Sequence, residues 1–144
     1  MSKTARVSVR LEEEARKAVE ELAKEQHRPK STVVRELLDE AIRMRRCPGI
    51  AFVDGPTGRR PVIAGTGLEV WEVITAYQEC SEDFERLKEI YDWLTPIQLR
   101  SALAYYRRYP DEIDEEIQRQ QALTEEEAEN RYPHLFHPAS PPRD

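Results

Sequence analysis

The chain has 144 residues, of which 39% are hydrophobic and 35% are charged, and its formal net charge at pH 7 is −6. That length allows one ordinary domain or two small ones. The sequence contains no apolar run near the roughly 18 residues of a membrane-spanning helix, and its N-terminus has no signal-peptide core, so we expect a cytoplasmic protein.

The charge is divided unevenly along the chain. Residues 1–46 carry 12 basic and 9 acidic side chains, net +3, whereas residues 47–118 carry 7 and 14, net −7, and residues 119–144 carry 3 and 5, net −2. An acidic body would repel phosphates, so we expect any contact with nucleic acid at the basic N-terminal end.

The first segment of the chain alternates polar and apolar residues, which predicts a β-strand. One face of this strand would carry Val7, Val9 and Leu11, and the other face would carry Arg6, Ser8 and Arg10. Two amphipathic helices are predicted next, one from about Glu12 to Gln26 and one that ends before Cys47. A single strand has two unpaired edges, and roughly 45 residues bury too little surface to be stable alone, so the pattern predicts a homodimer with paired strands.

The strand and the two helices resemble the ribbon-helix-helix DNA-binding domain of the Arc, MetJ and CopG repressors. The resemblance covers the first third of the chain and includes the run from Arg28 to Glu36 that opens the second helix. It implies that the paired strands enter the major groove, where Arg6, Ser8 and Arg10 read bases. On the residues alone, Arg6 and Arg10 could instead be a solvated strand face.

The start of the second helix is the other predicted DNA contact. Lys30, Ser31 and Thr32 would offer free backbone amides, the positive end of the helix dipole and a positive charge to a phosphate. Pro29 stands where that family often has a serine or threonine cap, although proline near the first helical position is itself favourable.

A second domain is predicted after Cys47-Pro48-Gly49, which breaks the second helix. Two short β-prone runs, 50–53 and 61–64, are joined by turn residues 54–60 and predict a β-hairpin. Three helices should follow: one from about Val70 to Glu79, one capped by Ser81, and one opened by the capping box and proline at Thr95-Pro96-Ile97-Gln98.

The last third of the chain changes character twice. A helix is predicted from Pro110, with Ile113 and Ile117 on its apolar side, and a second capping box at Thr124 predicts a separate short helix that stops near Tyr132. From Pro133 the chain is rich in proline and has no periodicity, which is typical of an extended tail that is disordered when alone.

Residues 48 to about 118 resemble domain-of-unknown-function family 433, which is known from the antitoxin half of some VapBC-type toxin-antitoxin pairs. The matching pieces are the run from Gly58 to Thr66, the helix that begins at Val70, and the run from Leu94 to Tyr106. The chain departs from that family's usual arginine and proline in having Gly67 and Glu69.

Members of family 433 also look like helix-turn-helix domains, so the helix from Thr95 to Tyr106 could be a second DNA reader. The net charge of −7 in this region and the Leu, Ala and Tyr content of the helix favour a bundle that packs against protein. We therefore expect a mainly α fold with short β-strands. It would consist of a ribbon-helix-helix dimerisation domain (1–46), a hairpin and helical-bundle domain (47–118), and a C-terminal helix with an extended tail (119–144).

No motif in the sequence indicates catalysis, a metal site or a cofactor. The runs of glutamate lie where helices begin, where they complement the helix dipole. His134 and His137 have no third ligand nearby, and Cys47 and Cys80 lack metal-ligand or redox spacing, so both cysteines should stay reduced. We therefore expect a binding protein rather than an enzyme.

Together the two resemblances imply the antitoxin of a type II toxin-antitoxin pair, which binds operator DNA, represses its own operon and neutralises a PIN-like ribonuclease toxin. In this interpretation the segment after Pro110 wraps the toxin. Tyr132, Leu135 and Phe136 would be apolar anchors, and Arg119 or Arg131 would place a cation among the toxin's Mg²⁺-binding carboxylates. These arginines could also be ordinary surface charges, and the chain could be a stand-alone repressor or a dimeric adaptor that does not bind DNA.

Overall fold

A computed structural model describes residues 4–136 of the chain. The chain divides into two compact units, one that ends at Arg46 and one that begins at Cys47. Among the described residues, no helix is long and apolar enough to cross a membrane.

The first unit contains two helices, α1 (Glu13–Gln26) and α2 (Lys30–Arg46). α1 ends because His27 adopts the left-handed conformation, with φ 53°, which lets the Arg28 amide donate to the Ala23 carbonyl at 3.0 Å. Both helices lie within a residue of the predicted bounds.

Pro29 stands immediately before α2 and not inside it. Its carbonyl accepts the first helical hydrogen bonds, from the amides of Thr32 (3.1 Å) and Val33 (3.2 Å). Proline fits this position because the missing N–H would have no helical acceptor there.

Residues 4–12 form neither a helix nor a strand in the single chain. A ribbon of the predicted kind takes its hydrogen bonds from a neighbouring strand, and the expected neighbour is a second copy of the same segment. The strand pairing therefore stays a prediction.

The second unit opens with an antiparallel hairpin of β1 (Ile50–Gly55) and β2 (Gly58–Ile63). Ile50 pairs with Ile63 and Gly55 pairs with Gly58, so the turn itself has only two residues. The prediction that residues 54–60 are all turn was wrong, because the polar residues at the ends of both strands continue the pairing and hide the strand pattern.

Five helices follow the hairpin within the described residues: α3 (Val70–Glu79), α4 (Phe84–Ile90), α5 (Pro96–Arg108), α6 (Pro110–Arg131) and α7 (Pro133–Phe136). α3 has the predicted bounds. The predicted capping box of α5 is also confirmed, since the Gln98 amide donates to the Thr95 hydroxyl at 3.2 Å and the Thr95 amide donates to the Gln98 side chain at 2.8 Å.

The predicted cap of α4 was wrong. Ser81 and Glu82 adopt positive φ angles of 58° and 59°, and the cap is Asp83, whose carboxylate accepts from the amides of Glu85 (3.0 Å) and Arg86 (3.3 Å). Serine and aspartate are both good helix caps, and the local sequence does not decide between Ser81 and Asp83.

The prediction of a separate helix at Thr124 was also wrong. α6 runs without a break from Pro110 to Arg131, and the Thr124 hydroxyl donates back to the Gln120 carbonyl at 2.9 Å. This bond to the preceding turn competes with capping and is compatible with a helix interior. The prediction of an extended tail from Pro133 was wrong for residues 133–136, which form α7. Residues 137–144 lie outside the described residues.

The core of the second unit packs the hairpin against α3, α5 and the first half of α6. Its most buried side chains are Ile63, Val70, Val73, Ile74, Leu87, Leu99, Tyr105 and Ile113. The sequence pattern assigned Leu103 and Tyr106 to the inner face of α5, but both are only partly buried and Tyr105 is fully buried. Tyr105 can occupy the core because its hydroxyl donates to the Glu112 carboxylate at 3.0 Å.

Candidate DNA-contacting and partner-binding surfaces

The N-terminal segment exposes both of its predicted faces in the single chain. Arg6, Ser8 and Arg10 are exposed, and so are the apolar residues Val7 (81%) and Val9 (71%). Two exposed valines in alternation cost solvation free energy, which a covering partner would recover.

α2 also exposes much of its apolar face. Val33 is buried, but large side chains further along the helix are exposed, namely Leu37, Leu38, Ile42 and Met44. The first unit therefore carries an exposed apolar surface on two of its segments. A surface of this kind in a small unit indicates an interaction site.

The predicted phosphate contact lies at the start of α2. Lys30 and Ser31 are exposed and Thr32 is half-buried. The Lys30 ammonium donates to the Glu20 carboxylate of α1 at 3.0 Å, and this bond together with the charge of Arg16 lowers the pKa of Glu20. Lys30 is thus positioned beside the helix start, where a phosphate would compete with Glu20 for it.

A partly buried cluster of charges in the second unit was missed by the sequence analysis. Arg60 of β2 is only 8% exposed. Its guanidinium donates to the Glu69 carboxylate at 2.7 Å and forms an ion pair with Glu116 of α6, which also binds Arg119. We call Arg60, Glu69, Glu116 and Arg119 the charge cluster.

Glu69 has a second partner in the cluster, because the Trp71 indole N–H donates to its other carboxylate oxygen at 2.7 Å. The sequence did single out Glu69, because family 433 usually has proline at this position. Glu116 gave no signal, since it stands among five acidic residues between Asp111 and Glu116.

Two members of the cluster, Arg60 and Glu116, have shifted pKa values. Burial alone would raise the pKa of the Glu116 carboxyl, but hydrogen bonds from Arg60 and Gln120 and the charges of Arg60 and Arg119 outweigh burial and lower it. Burial likewise opposes the charge on Arg60, yet its bonds to Glu116 and Glu69 raise the pKa of the guanidinium. Both shifts favour the charged forms of Arg60 and Glu116, whose ion pair joins the hairpin to α6.

The predicted partner-binding residues lie in two places: Arg119 belongs to the charge cluster, whereas Tyr132 and Leu135 lie together, with the Leu135 amide donating to the Tyr132 carbonyl at 3.1 Å. Arg119 is held by Glu116, whereas Arg131, at the end of α6, makes no ion pair within residues 4–136. Tyr132 and Leu135 are exposed, and the side chain of Phe136 lies outside the described residues.

The second half of α6 is covered by little of the chain. Every residue from Gln121 to Glu127 is exposed, and the last buried residue of the helix is Ile117. We call residues 122–136 the C-terminal arm.

The described residues contain no group of three or more His, Cys, Asp or Glu side chains that could hold a metal ion. The side chain of His134 and all of His137 lie outside the described residues. Cys47 and Cys80 are both buried.

Comparison with family models assigns both units. Residues 5–43 match the model described as ribbon-helix-helix protein, copG family, and residues 54–106 match the model described as protein of unknown function (DUF433). No curated protein and no solved structure was found to match the chain. Ribbon-helix-helix domains bind DNA as dimers of paired strands, which marks the chain as a DNA-binding regulator. Residues 5–43 are therefore a ribbon-helix-helix domain of the copG family, and residues 54–106 are a DUF433 domain.

Proposed function

We propose that the chain is the antitoxin of a type II toxin-antitoxin pair, a homodimer that binds operator DNA through its first unit and a PIN-like ribonuclease toxin through its second. The exposed alternation of residues 6–11 is the observation that carries the DNA-binding half. Pairing with the same segment of a second copy would cover Val7 and Val9 and leave Arg6, Ser8 and Arg10 on the outer face.

Exposure of the C-terminal arm supports the partner-binding half. A helix end with few internal contacts and with Leu123, Tyr132 and Leu135 exposed offers apolar anchors to another protein. Arg131 fits the role of the inserted cation better than Arg119, because Glu116 already binds Arg119. If Arg119 entered the toxin's site, Glu116 would lose one of the two cations that compensate its buried charge.

Arg10→Ala tests the ribbon. We expect this variant to bind DNA from upstream of its own reading frame at least about tenfold more weakly, since a bidentate contact to a base contributes about 1–3 kcal/mol of discrimination. Neutralisation of the toxin should be unchanged. Gel shifts with the upstream DNA, and growth assays with the neighbouring reading frame co-expressed, measure the two effects.

Arg16→Ala is the matched control for this experiment. Arg16 lies in the same unit and has the same charge, but it pairs with Glu13 (2.5 Å) and Glu20 (2.7 Å) on α1. If Arg10→Ala shifts the DNA as well as the Arg16→Ala variant does, the ribbon assignment is wrong. A neighbouring reading frame without a PIN-like sequence would instead favour a stand-alone repressor.

A further inference from the structure

Helix α5 differs in charge from the rest of the second unit. The stretch from Trp93 to Pro110, which contains α5, is the longest in the chain without Asp or Glu, and it carries Arg100, Arg107 and Arg108. The remainder of residues 47–118 is strongly acidic. The acidic charge that argued against a nucleic-acid contact in this region is thus absent from α5.

The arginines of α5 also differ from the other cations of the unit in their partners. Between Cys47 and Arg119, every Lys or Arg outside α5 forms an ion pair with a carboxylate, namely Arg59, Arg60, Arg86, Lys88 and Arg119. Within residues 4–136, none of the three arginines of α5 does. Arg100 instead lies 5.2 Å from the ring centroid of Phe84, which leaves its charge uncompensated.

These arginines share one face of the helix. Arg100, Ala104, Arg107 and Arg108 are all exposed, whereas Leu99, Ala102 and Tyr105 are buried in the core. Positions separated by four, seven and eight residues fall within one side of an α-helix, and seven residues rise about 10 Å along its axis. Ala104, between the arginines, leaves room for close approach of a flat or groove-shaped partner.

We propose that this face of α5, defined by Arg100, Arg107 and Arg108, binds the phosphate backbone of double-stranded DNA as a second contact of the same chain. The inference rests on the proposed DNA binding of the first unit, because that unit brings DNA to the chain. A row of uncompensated guanidinium groups matches a row of phosphates, to which arginine donates in bidentate geometry. The contact is independent of base sequence and adds affinity by raising the effective concentration of DNA at α5.

The salt dependence of DNA binding tests this inference. Fluorescence anisotropy would follow binding of the full chain to a duplex of unrelated sequence over a series of KCl concentrations. Each phosphate contact contributes about 0.9 to the slope of log K against log salt. We expect Arg100→Gln/Arg107→Gln/Arg108→Gln to reduce that slope by at least about 0.9 and the affinity at low salt by about tenfold or more.

A triple variant at the paired cations is the matched control. Arg59→Gln/Arg86→Gln/Lys88→Gln removes the same formal charge from the same unit, but from side chains that carboxylates already neutralise. It should change the slope little. Because all six side chains lie on surface positions, tryptophan fluorescence melting curves should show both variants folded, with midpoints close to that of the parent.

Equal slopes for the α5 variant and the control would overturn the inference, whatever Arg10→Ala does to operator recognition. If Arg10→Ala loses its preference for operator over unrelated DNA but keeps the parent's slope of log K against log salt, both DNA contacts are supported. If Arg10→Ala binds as the parent does while the α5 variant loses affinity, the ribbon role fails and the α5 contact stands. An α5 variant that loses only the toxin would assign this face to an acidic protein and reject the contact with DNA.

Discussion

Arg60 of β2 links three elements of the second unit. Its side chain is 10% exposed and joins Glu69, at the start of α3, to Glu116 of α6, which is 7% exposed. Removing Arg60 would leave the buried Glu116 with one cation, Arg119, instead of two, and would take from Glu69 its ion pair. Breaking a buried ion pair by removing one partner is strongly destabilising.

Arg60→Met should therefore destabilise the second unit by about 3 kcal/mol. Methionine keeps the apolar stem of the side chain, so the loss reports mainly the missing guanidinium group. Urea unfolding followed by tryptophan fluorescence measures this unit alone, because Trp71 and Trp93 both lie in it.

Arg59→Met provides the comparison. Arg59 is the neighbouring residue, and its partner Asp54 is 89% exposed. A solvent-screened pair contributes about 1 kcal/mol or less. Equal losses for the two variants would show that the charge cluster does not stabilise the unit.

The sequence could not have predicted the role of Arg60. Arg59 and Arg60 have the same residue type, stand side by side and follow turn residues, so local patterns treat them alike. What separates them is the alternation of the strand, which places Arg60 toward α3 and α6. That orientation depends on strand bounds, which the charged residues at the hairpin ends conceal, and on a partner in a distant helix.

At the scale of elements, the sequence predicted those features that depend on residues close together in the chain. The capping box at Thr95 and the periodicity of α3 are both found where the sequence places them, because each depends on residues within one turn. Thr124 failed as a cap because continuation of α6 competes with capping, and nothing nearby interrupts that helix.

The N-terminal segment is the element whose structure depends on a second chain. Val9→Asp should weaken homodimerisation at least about 100-fold, since it places a carboxylate on the face that strand pairing would bury in both copies. Sedimentation velocity of the full chain over a dilution series would show the shift from dimer to monomer. Operator binding should fall with it.

Ser8→Ala separates the two faces of the segment. This variant changes the predicted DNA-reading face and should leave the dimer intact while weakening operator binding. If the Val9→Asp chain dimerises as tightly as the Ser8→Ala chain, the strands of two copies do not pair through this face.

At the scale of the whole molecule, the bounds of α6 change how partner binding has to be tested. The sequence analysis assigned the whole segment after Pro110 to toxin binding. The structure shows that the first half of α6 supplies Ile113 and Ile117 to the core and Glu116 to the charge cluster. A cut at Pro110 would unfold the second unit and would say nothing about the partner.

A chain that ends at Gln121 removes the C-terminal arm and retains the buried half of α6. We expect it to melt within a few degrees of the parent, because none of residues 122–133 is buried. It should still bind operator DNA, and it should fail to neutralise the toxin in growth assays with the neighbouring reading frame. Full neutralisation by this chain would rule out the arm as the inhibitory segment.

Two single substitutions in the full chain locate the inhibitory cation. Arg131→Gln should weaken neutralisation about tenfold or more if its guanidinium enters the toxin's carboxylate site, since a charge-assisted hydrogen bond contributes about 1.5–3 kcal/mol. Arg119→Gln removes a cation that Glu116 already binds, so it should leave neutralisation near the parent level. If Arg119→Gln weakens neutralisation more than Arg131→Gln does, the toxin contacts the charge cluster, and the hairpin is part of the toxin-binding surface.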